Sequence, residues 1–219
     1  MKISYGITVH KEHEELNQLL DLLINETDTD DEIIIVQDGD DKKVEEVISK
    51  WMNETLDWKG IYWHTHKLSG DFAKHKNFVI EKCEGDYIFH IDADEYPNTI
   101  LIKQLKQILE INPVDLIWVP RVNTVDGITQ AHLNTWGWKQ TEQGWINYPD
   151  YQSRIFKNRD DIRWRRPVHE QITGCKTYSH LPPHEELSLY HPKTREKQIK
   201  QNQFYIDNFS RDLLVRRGQ

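Results

Sequence analysis

The chain has 219 residues, 37% of them hydrophobic and 29% charged, with a net charge of −8. It is too apolar to be disordered, and its longest apolar runs, "DEIIIVQ" and "DLIWVP", are far too short to cross a bilayer. An acidic chain with a pI near 5.8 lacks the basic face that broad nucleic-acid binding needs.

From the start, strand and helix patterns alternate. "ISYGITV" predicts a strand. Leu16, Leu19, Leu20 and Leu23 stand at i, i+3, i+4 and i+7 and predict a helix with one apolar face. "EIIIVQD" is a continuous apolar strand, the pattern of a strand covered on both faces. Val44, Val47, Ile48 and Trp51 mark a second helix, and "IYWHTH" a third strand. Residues 70 to 84 make a third helix with Gly85 as its C-cap, and "DYIFHID" a fourth strand. Such a series predicts βαβ units, hence a parallel sheet with right-handed crossovers. Beyond it, Pro97 opens a helix carrying Leu101, Leu105, Ile108 and Leu109, and "DLIWVPR" is a further strand. Asp126-Gly127 reads as a tight turn, and residues 131 to 150 as a loop-rich excursion holding Trp136, Trp138 and Trp145. "QSRIFKN" and "IRWRRPV" are two short strands joined at "NRDD", and 194 to 214 a charged helix. With no linker or internal repeat, one domain with two unequal halves is expected.

The fourth strand ends in "HIDADEYPN", where Asp92, Asp94 and Glu95 crowd one turn. Carboxylates that close repel unless something cationic sits among them. Ligands of open α/β sheets bind beyond the carboxyl ends of the strands, which is where these acids and Asp38 fall. Neither G-x-G-x-x-G nor G-x-x-x-x-G-K-[ST] is present, so a bound diphosphate would have its charge met by a divalent ion on hard oxygen ligands. The bland alternative is that Asp94 or Glu95 caps the following helix.

The motifs "YGITVHKEHEELNQLLDLL", "DEIIIVQDGD", "DFAKHKNFVIEKCEGDYIFHIDADE", "VHE" and "LYHPK" together resemble family 2-type glycosyltransferases of the GT-A fold. The nearest subgroup is that of small bacterial and phage enzymes related to the lipopolysaccharide core glucosyltransferases. The likeness is close over the first 95 residues and patchy after them. It implies an α/β fold: a Rossmann-like, mostly parallel sheet flanked by helices, with a smaller mixed acceptor-side half. Residues 1–95 would hold the nucleotide sugar, 96–190 the acceptor, and 191–219 would form a C-terminal helix. The implied reaction is inverting, metal-dependent transfer of a sugar from a nucleotide diphosphate donor, UDP-sugar favoured, to a hydroxyl of a glycan, lipid-linked or protein acceptor.

By the same resemblance, Thr8, His10 and Glu12 lie where the first strand meets base and ribose, and Asp38 matches the acid that hydrogen-bonds the base. Lys74 and Asn77 would face ribose or diphosphate. Asp92 and Asp94 form the DxD, with Asp94 the firmer ligand of Mn²⁺ or Mg²⁺ and His191 a late ligand to the same ion. Glu170 falls where related enzymes carry the catalytic base; "HE" in place of the usual "ED" leaves His169 and Asp150 as alternatives. "QDGDDK" stands where the family often has "DDGSTD", so hydroxyl groups near the base are missing.

Residue by residue, plainer roles compete. His191 beside Tyr190 and Pro192 suits a packed histidine, and Glu170 suits an ion-pair partner of Arg163 or Arg165. The cluster Arg154, Lys157, Arg159, Arg163, Arg165 and Arg166 suits either a solvated face or an anion site, with Arg154 the first choice for phosphate. Trp136 and Trp138 are the candidate stacking surfaces for an acceptor sugar, against the usual core role of Trp.

Three rivals remain. A phosphohydrolase would carry its DxD on the opening strand, which here ends "GITVH". A nucleotidyltransferase would carry a glycine-rich basic loop where this chain has "HKEHEEL". A catalytically inactive sugar- or nucleotide-binding protein of the same fold would have no need of both a DxD and a late His. Cys83 and Cys175 form neither a metal spacing nor a disulfide framework and are expected to be idle thiols. After Met1 comes "KISYGITVH" and not a signal peptide, so a cytoplasmic location is expected, with the charged tail helix leaving room for peripheral membrane contact.

Overall fold

A computed structural model describes residues 1–55 and 60–208. The first half follows the alternating pattern: β1 (Ile3–Val9), α1 (His13–Glu26), β2 (Glu32–Gln37), α2 (Lys42–Glu54), β3 (Ile61–Thr65), α3 (Phe72–Lys82) and β4 (Tyr87–Asp92). β4, β1, β2 and β3 lie side by side and parallel. Alternation along β1 sends Ile3, Tyr5, Ile7 and Val9 to one face, where they share a core with the four buried leucines of α1, Leu16, Leu19, Leu20 and Leu23. β2 is buried at every position because Ile33 and Ile35 serve that core while Ile34 and Val36 serve a second one under α3. The side chains of Asp41 and Asp71 cap α2 and α3 through the Lys43, Val44 and Lys74 amides.

Gly85 is not a helix cap. α3 ends at Lys82 and Cys83 is already extended. Gly85 is required for contact: a Cβ there would lie 2.7 Å from the Ser4 nitrogen and 2.9 Å from the Lys2 oxygen. Pro97 does not open a helix either. It belongs to β5 (Tyr96–Pro97), and Asn98 caps α4 (Thr99–Ile111) through the Ile100 amide. The cap is therefore an asparagine, which removes capping as an explanation for Asp94 and Glu95.

The second half adds β6 (Leu116–Val119), β7 (Arg121–Asp126), α5 (Gln130–Trp136), β8 (Gln152–Lys157), β9 (Arg163–Arg165), β10 (Gln171–Thr173), β11 (Tyr178–His180), β12 (Leu189–Thr194) and α6 (Arg195–Asn208). β8 inserts antiparallel between β4 and β6, and β11 pairs parallel to β6, giving the order β11-β6-β8-β4-β1-β2-β3. The two strands flanking "NRDD" do not pair with each other: β8 is central in the main sheet, and β9 forms a ribbon with β10. The expected loop-rich stretch contains α5, closed at Gly137 in the left-handed region (φ 66). α6 covers the first part of the expected tail helix; residues 209–214 of that expectation lie outside the described residues. β12 fills the gap between β5 and β7 in a small sheet of three, which brings chain from beyond residue 185 back to the acid turn. Among the described residues no helix is long and apolar enough to cross a membrane.

Candidate active site

A cleft of about 1630 Å³ runs along the carboxyl ends of β1, β2 and β4 and on across β8, β6 and β11. Thr8, His10, Glu12, Asp38, Asp92, Asp94, Arg154, Glu170, His191 and Trp138 all line it. Lys74, Asn77 and Trp136 do not. Lys74 is exposed on the outer side of α3, and Lys76, one helical half-turn on, faces the cleft instead. Asn77 clips α3 to β9 by giving and receiving hydrogen bonds with the Trp164 backbone at 3.0 and 2.9 Å. Trp136 packs on Trp138 and His132.

At the acid turn the protein supplies most of the compensating charge itself. Arg154, 3% exposed, donates to Asp92 and Glu95, both at 2.6 Å. Arg121 donates to Glu95 at 2.6 Å and to Asp150 at 2.6 and 3.0 Å. Thr8 donates to Asp92 at 3.0 Å, and the Lys76 ammonium lies 3.7 Å away. Burial works against the charge on Asp92, but the Arg154 guanidinium and then Lys76 outweigh it and hold the group well below the usual carboxylate range. This corrects the expectation for Arg154: its guanidinium is committed to two acids rather than offered to a phosphate. Glu95, buried beneath the turn, is an internal counter-ion, and Asp92 is half committed.

Asp94 is placed differently. Its Oδ2 lies 3.5 Å from Nε2 of His191, which is 9% exposed on β12. A chain of hydrogen bonds fixes that ring. The Asn123 amide donates to Asp150 at 2.9 Å, which turns its oxygen toward His191 Nδ1 at 2.8 Å. An oxygen acceptor there requires the proton on Nδ1, so the Nε2 lone pair faces the Asp94 carboxylate. Burial lowers the His191 pKa below 6.5 despite that carboxylate. For Asp94, burial is outweighed by the hydrogen bond and charge that His191 supplies once protonated in acid, and then by Lys193, so that its pKa falls to about 2. A neutral imidazole and an ionised carboxylate, both electron-pair donors, thus face each other across 3.5 Å. Neighbouring ligands on an ion about 2.1 Å from each sit about 3 Å apart, so the pair fits a divalent cation. Asp92, already bonded to Arg154 and Thr8, fits less well as a direct ligand.

Among the described residues, the one trio of acids whose ligand atoms all lie within 4.8 Å is Asp28, Asp30 and Asp31. It sits before β2, at the far ends of the strands, and the Lys106 ammonium already holds it at 2.8 to 3.1 Å.

Toward β2, the Asp38 carboxylate accepts from the Leu68 amide at 2.9 Å and its carbonyl lies 2.8 Å from His10 Nδ1. Glu12 folds back to accept from the His10 and Lys11 amides at 2.9 Å. Burial holds His75 neutral, down to about 4. At the other wall, Glu170 pairs with Lys76 at 2.5 Å rather than with Arg163 or Arg165. Burial raises its pKa, but Lys76 prevails and lowers it. Asp150 accepts from Arg121, Asn123 and Gln152, which makes it a scaffold for Arg121 and His191. The signal for these partners was weak in the sequence, because Lys76 and Glu170 stand 94 residues apart.

Known proteins share this arrangement of strands. Residues 1–349 of S. aureus TarS, in complex with UDP-GlcNAc, superpose on 88% of the chain with a TM-score of 0.62 and 16% identity; 59% of that chain is covered. The same piece in complex with UDP superposes on 95% of the chain at 0.62 and 14%, covering 65% of it. This likeness establishes the GT-A fold. By sequence, the uncharacterized glycosyltransferase EpsJ of Bacillus subtilis (strain 168) is 26% identical over 102 residues, or 47% of this chain. The chain spans 28% of the length of EpsJ and 37% of the longer TarS chain. The model of the family described as "Glycosyl transferase family 2" matches residues 4–181, a stretch that holds the DxD turn, Arg154 and Glu170 and stops short of His191. With the GT-A sheet and its acid-lined edge, that match means that the chain belongs to glycosyl transferase family 2.

Proposed function

We propose that the chain is an inverting, metal-dependent glycosyltransferase that uses a nucleotide diphosphate sugar, UDP-sugar favoured. The acceptor is a hydroxyl of a glycan, free or carried on a lipid or protein. The observation that carries the reading is the Asp94–His191 pair, two electron-pair donors held face to face at the carboxyl edge of a GT-A sheet. Asp94 and His191 would hold Mn²⁺ or Mg²⁺, with Asp92 positioned by Arg154 beside them. When bound, the ion supplies Lewis-acid stabilisation of the leaving diphosphate.

The rest falls to the chain's own groups. Thr8, His10, Glu12 and Asp38 line the end of the cleft over β1 and β2, where base and ribose fit. Arg154 and Arg121 keep the acid turn rigid, so that Asp94 does not reorganise as charge develops. Glu170, ionised through Lys76, takes the proton of the acceptor hydroxyl. In this reading residues 1–95 bind the donor and 96–190 the acceptor within a single domain, and the protein works in the cytoplasm.

The test is a panel of nucleotide sugars, with Mn²⁺ or with chelator, read as nucleoside diphosphate release. One donor is expected to be hydrolysed slowly, only with metal, and not by Asp94→Asn. Release that persists in chelator, or in the variant, would sink the metal-dependent reading. If nothing is released, calorimetry with UDP and Mn²⁺ decides between a missing acceptor, shown by binding, and an inactive fold, shown by none.

A further inference from the structure

Beyond the acid turn the cleft continues over β8, β6 and β11, and its character changes. The lining there comes from Trp118, Tyr151, Tyr178 and His180 on the sheet side and from Ile172 to Cys175, on β10 and just after it, on the other. Trp118 and His180 are register partners on β6 and β11, and their rings stack at 5.9 Å with an interplanar angle of 11°. Tyr151 and Tyr178 meet the His180 ring edge-on at 4.9 and 6.2 Å. Tyr151 is pinned through its hydroxyl to the Leu181 carbonyl at 3.0 Å, while Tyr178 is 67% exposed. Between Gln171 and His180 the cleft lining contains no Lys, Arg, Asp or Glu.

We propose that this aromatic shelf is the acceptor subsite, and that it takes an uncharged pyranose ring. The inference rests on the glycosyltransferase reading and deepens it. Aromatic faces carry negative potential and favour the polarised C–H groups of a sugar ring laid flat on them. A phosphorylated or otherwise anionic acceptor would find no Lys or Arg among the shelf residues themselves; Arg121 and Arg154 are committed to acids, and Arg166 and Lys193 line other parts of the cleft. Position agrees. Two and three strands separate β6 and β11 from β4, which at about 4.8 Å per strand places the shelf about 10–15 Å from the acid turn. That is the reach of an acceptor whose terminal hydroxyl meets the donor while the preceding ring is gripped. The shelf also shifts the stacking role away from Trp136, which packs outside the cleft.

The probes are methyl glucoside, methyl galactoside, methyl mannoside and methyl N-acetylglucosaminide, with glucose 6-phosphate as the anionic comparator. Saturation-transfer NMR reads their contact with the full chain, in the presence of UDP and Mn²⁺. At least one neutral glycoside is expected to receive saturation on its ring protons, and glucose 6-phosphate none. The double variant Tyr178→Ala, His180→Ala should weaken that binding about tenfold, as the loss of two ring contacts implies. Calorimetry with UDP and Mn²⁺ on the same samples reports whether the fold and donor site persist. If UDP binds the parent chain but no neutral glycoside does, the shelf proposal fails while the donor reading stands. Equal binding by parent and double variant, or preference for the phosphorylated sugar, overturns it as well. If UDP and Mn²⁺ do not bind the parent, the transferase reading fails and the shelf proposal falls with it.

Discussion

At the residue scale, the acid turn separates one carboxylate that faces a histidine from two that are engaged with arginines. Arg154 is buried with ion pairs to Asp92 and Glu95. Removing one partner from such a group leaves uncompensated buried charge, which typically costs about 3–5 kcal/mol. Arg154→Met is therefore expected to lower the urea midpoint strongly. Asp94→Asn, which at neutral pH leaves an uncharged imidazole opposite it rather than a buried guanidinium, should cost less stability and lose metal-dependent donor cleavage. Similar midpoints for the two variants would contradict this division. Acid should expose it too. A carboxylate whose folded pKa is depressed contributes stability above its unfolded pKa and loses it as pH falls through the folded one. For Asp94 that window runs from the ordinary 3.8 down to about 2. Urea midpoints of the parent should fall more steeply than those of Asp94→Asn across it; parallel slopes would show that Asp94 carries no such linkage. Sequence motifs singled out Asp92, Asp94 and His191, which the fold brings to one cleft. Their partners were not, since nothing in the local pattern of Arg154 distinguishes an arginine that reaches 62 residues back to Asp92 from one that waits for phosphate.

At the element scale, what could be read was what has its own period. α1 and α4 present leucines at helical spacing, and β2 is apolar throughout, so each declares itself within its own residues. α5 has only two turns, and β10 and β11 have three residues each, too few for a period to appear. β12 contains Pro192, which argues against a strand in isolation, yet it pairs along its length with β7. Such pieces are held by their neighbours rather than by their own propensity. Gly85 shows the same dependence. A C-cap glycine acts through its own φ, whereas Gly85 acts through its distance from β1, which no local reading gives. Gly85→Ala would drive a methyl group into the Ser4 and Lys2 backbone. Overpacking against a strand typically costs about 1–3 kcal/mol, so chemical denaturation should register a loss of that size. Alanine tolerated without loss would show that the β1 end gives way.

At the scale of the whole molecule, the proposed ion joins segments that are distant in the chain. Asp94 follows β4, while His191 arrives on β12, held between β5 and β7. The Lys76–Glu170 pair makes a second tie, from α3 to the far wall of the cleft. A ligand that engages both Asp94 and His191 therefore stabilises the folded arrangement as a unit and has no counterpart site in the unfolded chain. At a hundred times its dissociation constant such a ligand adds about 2.7 kcal/mol. For a chain of this size each kcal/mol raises Tm by about 2–4 °C, so a shift of about 5–10 °C is expected. Two carboxylate and imidazole ligands alone hold a hard cation weakly, and UDP alone brings its diphosphate to an edge already rich in acids. The shift should therefore need Mn²⁺ and UDP together, exceeding the sum of the shifts from each. It should vanish in His191→Ala, whose ring would supply one ligand, while the ligand-free Tm of that variant falls only by the cost of truncating one buried side chain. A UDP shift that is the same with Mn²⁺ and with chelator would mean that the diphosphate is held by protein cations instead. Arg166 and Lys193, both lining the cleft, would then be the groups to vary.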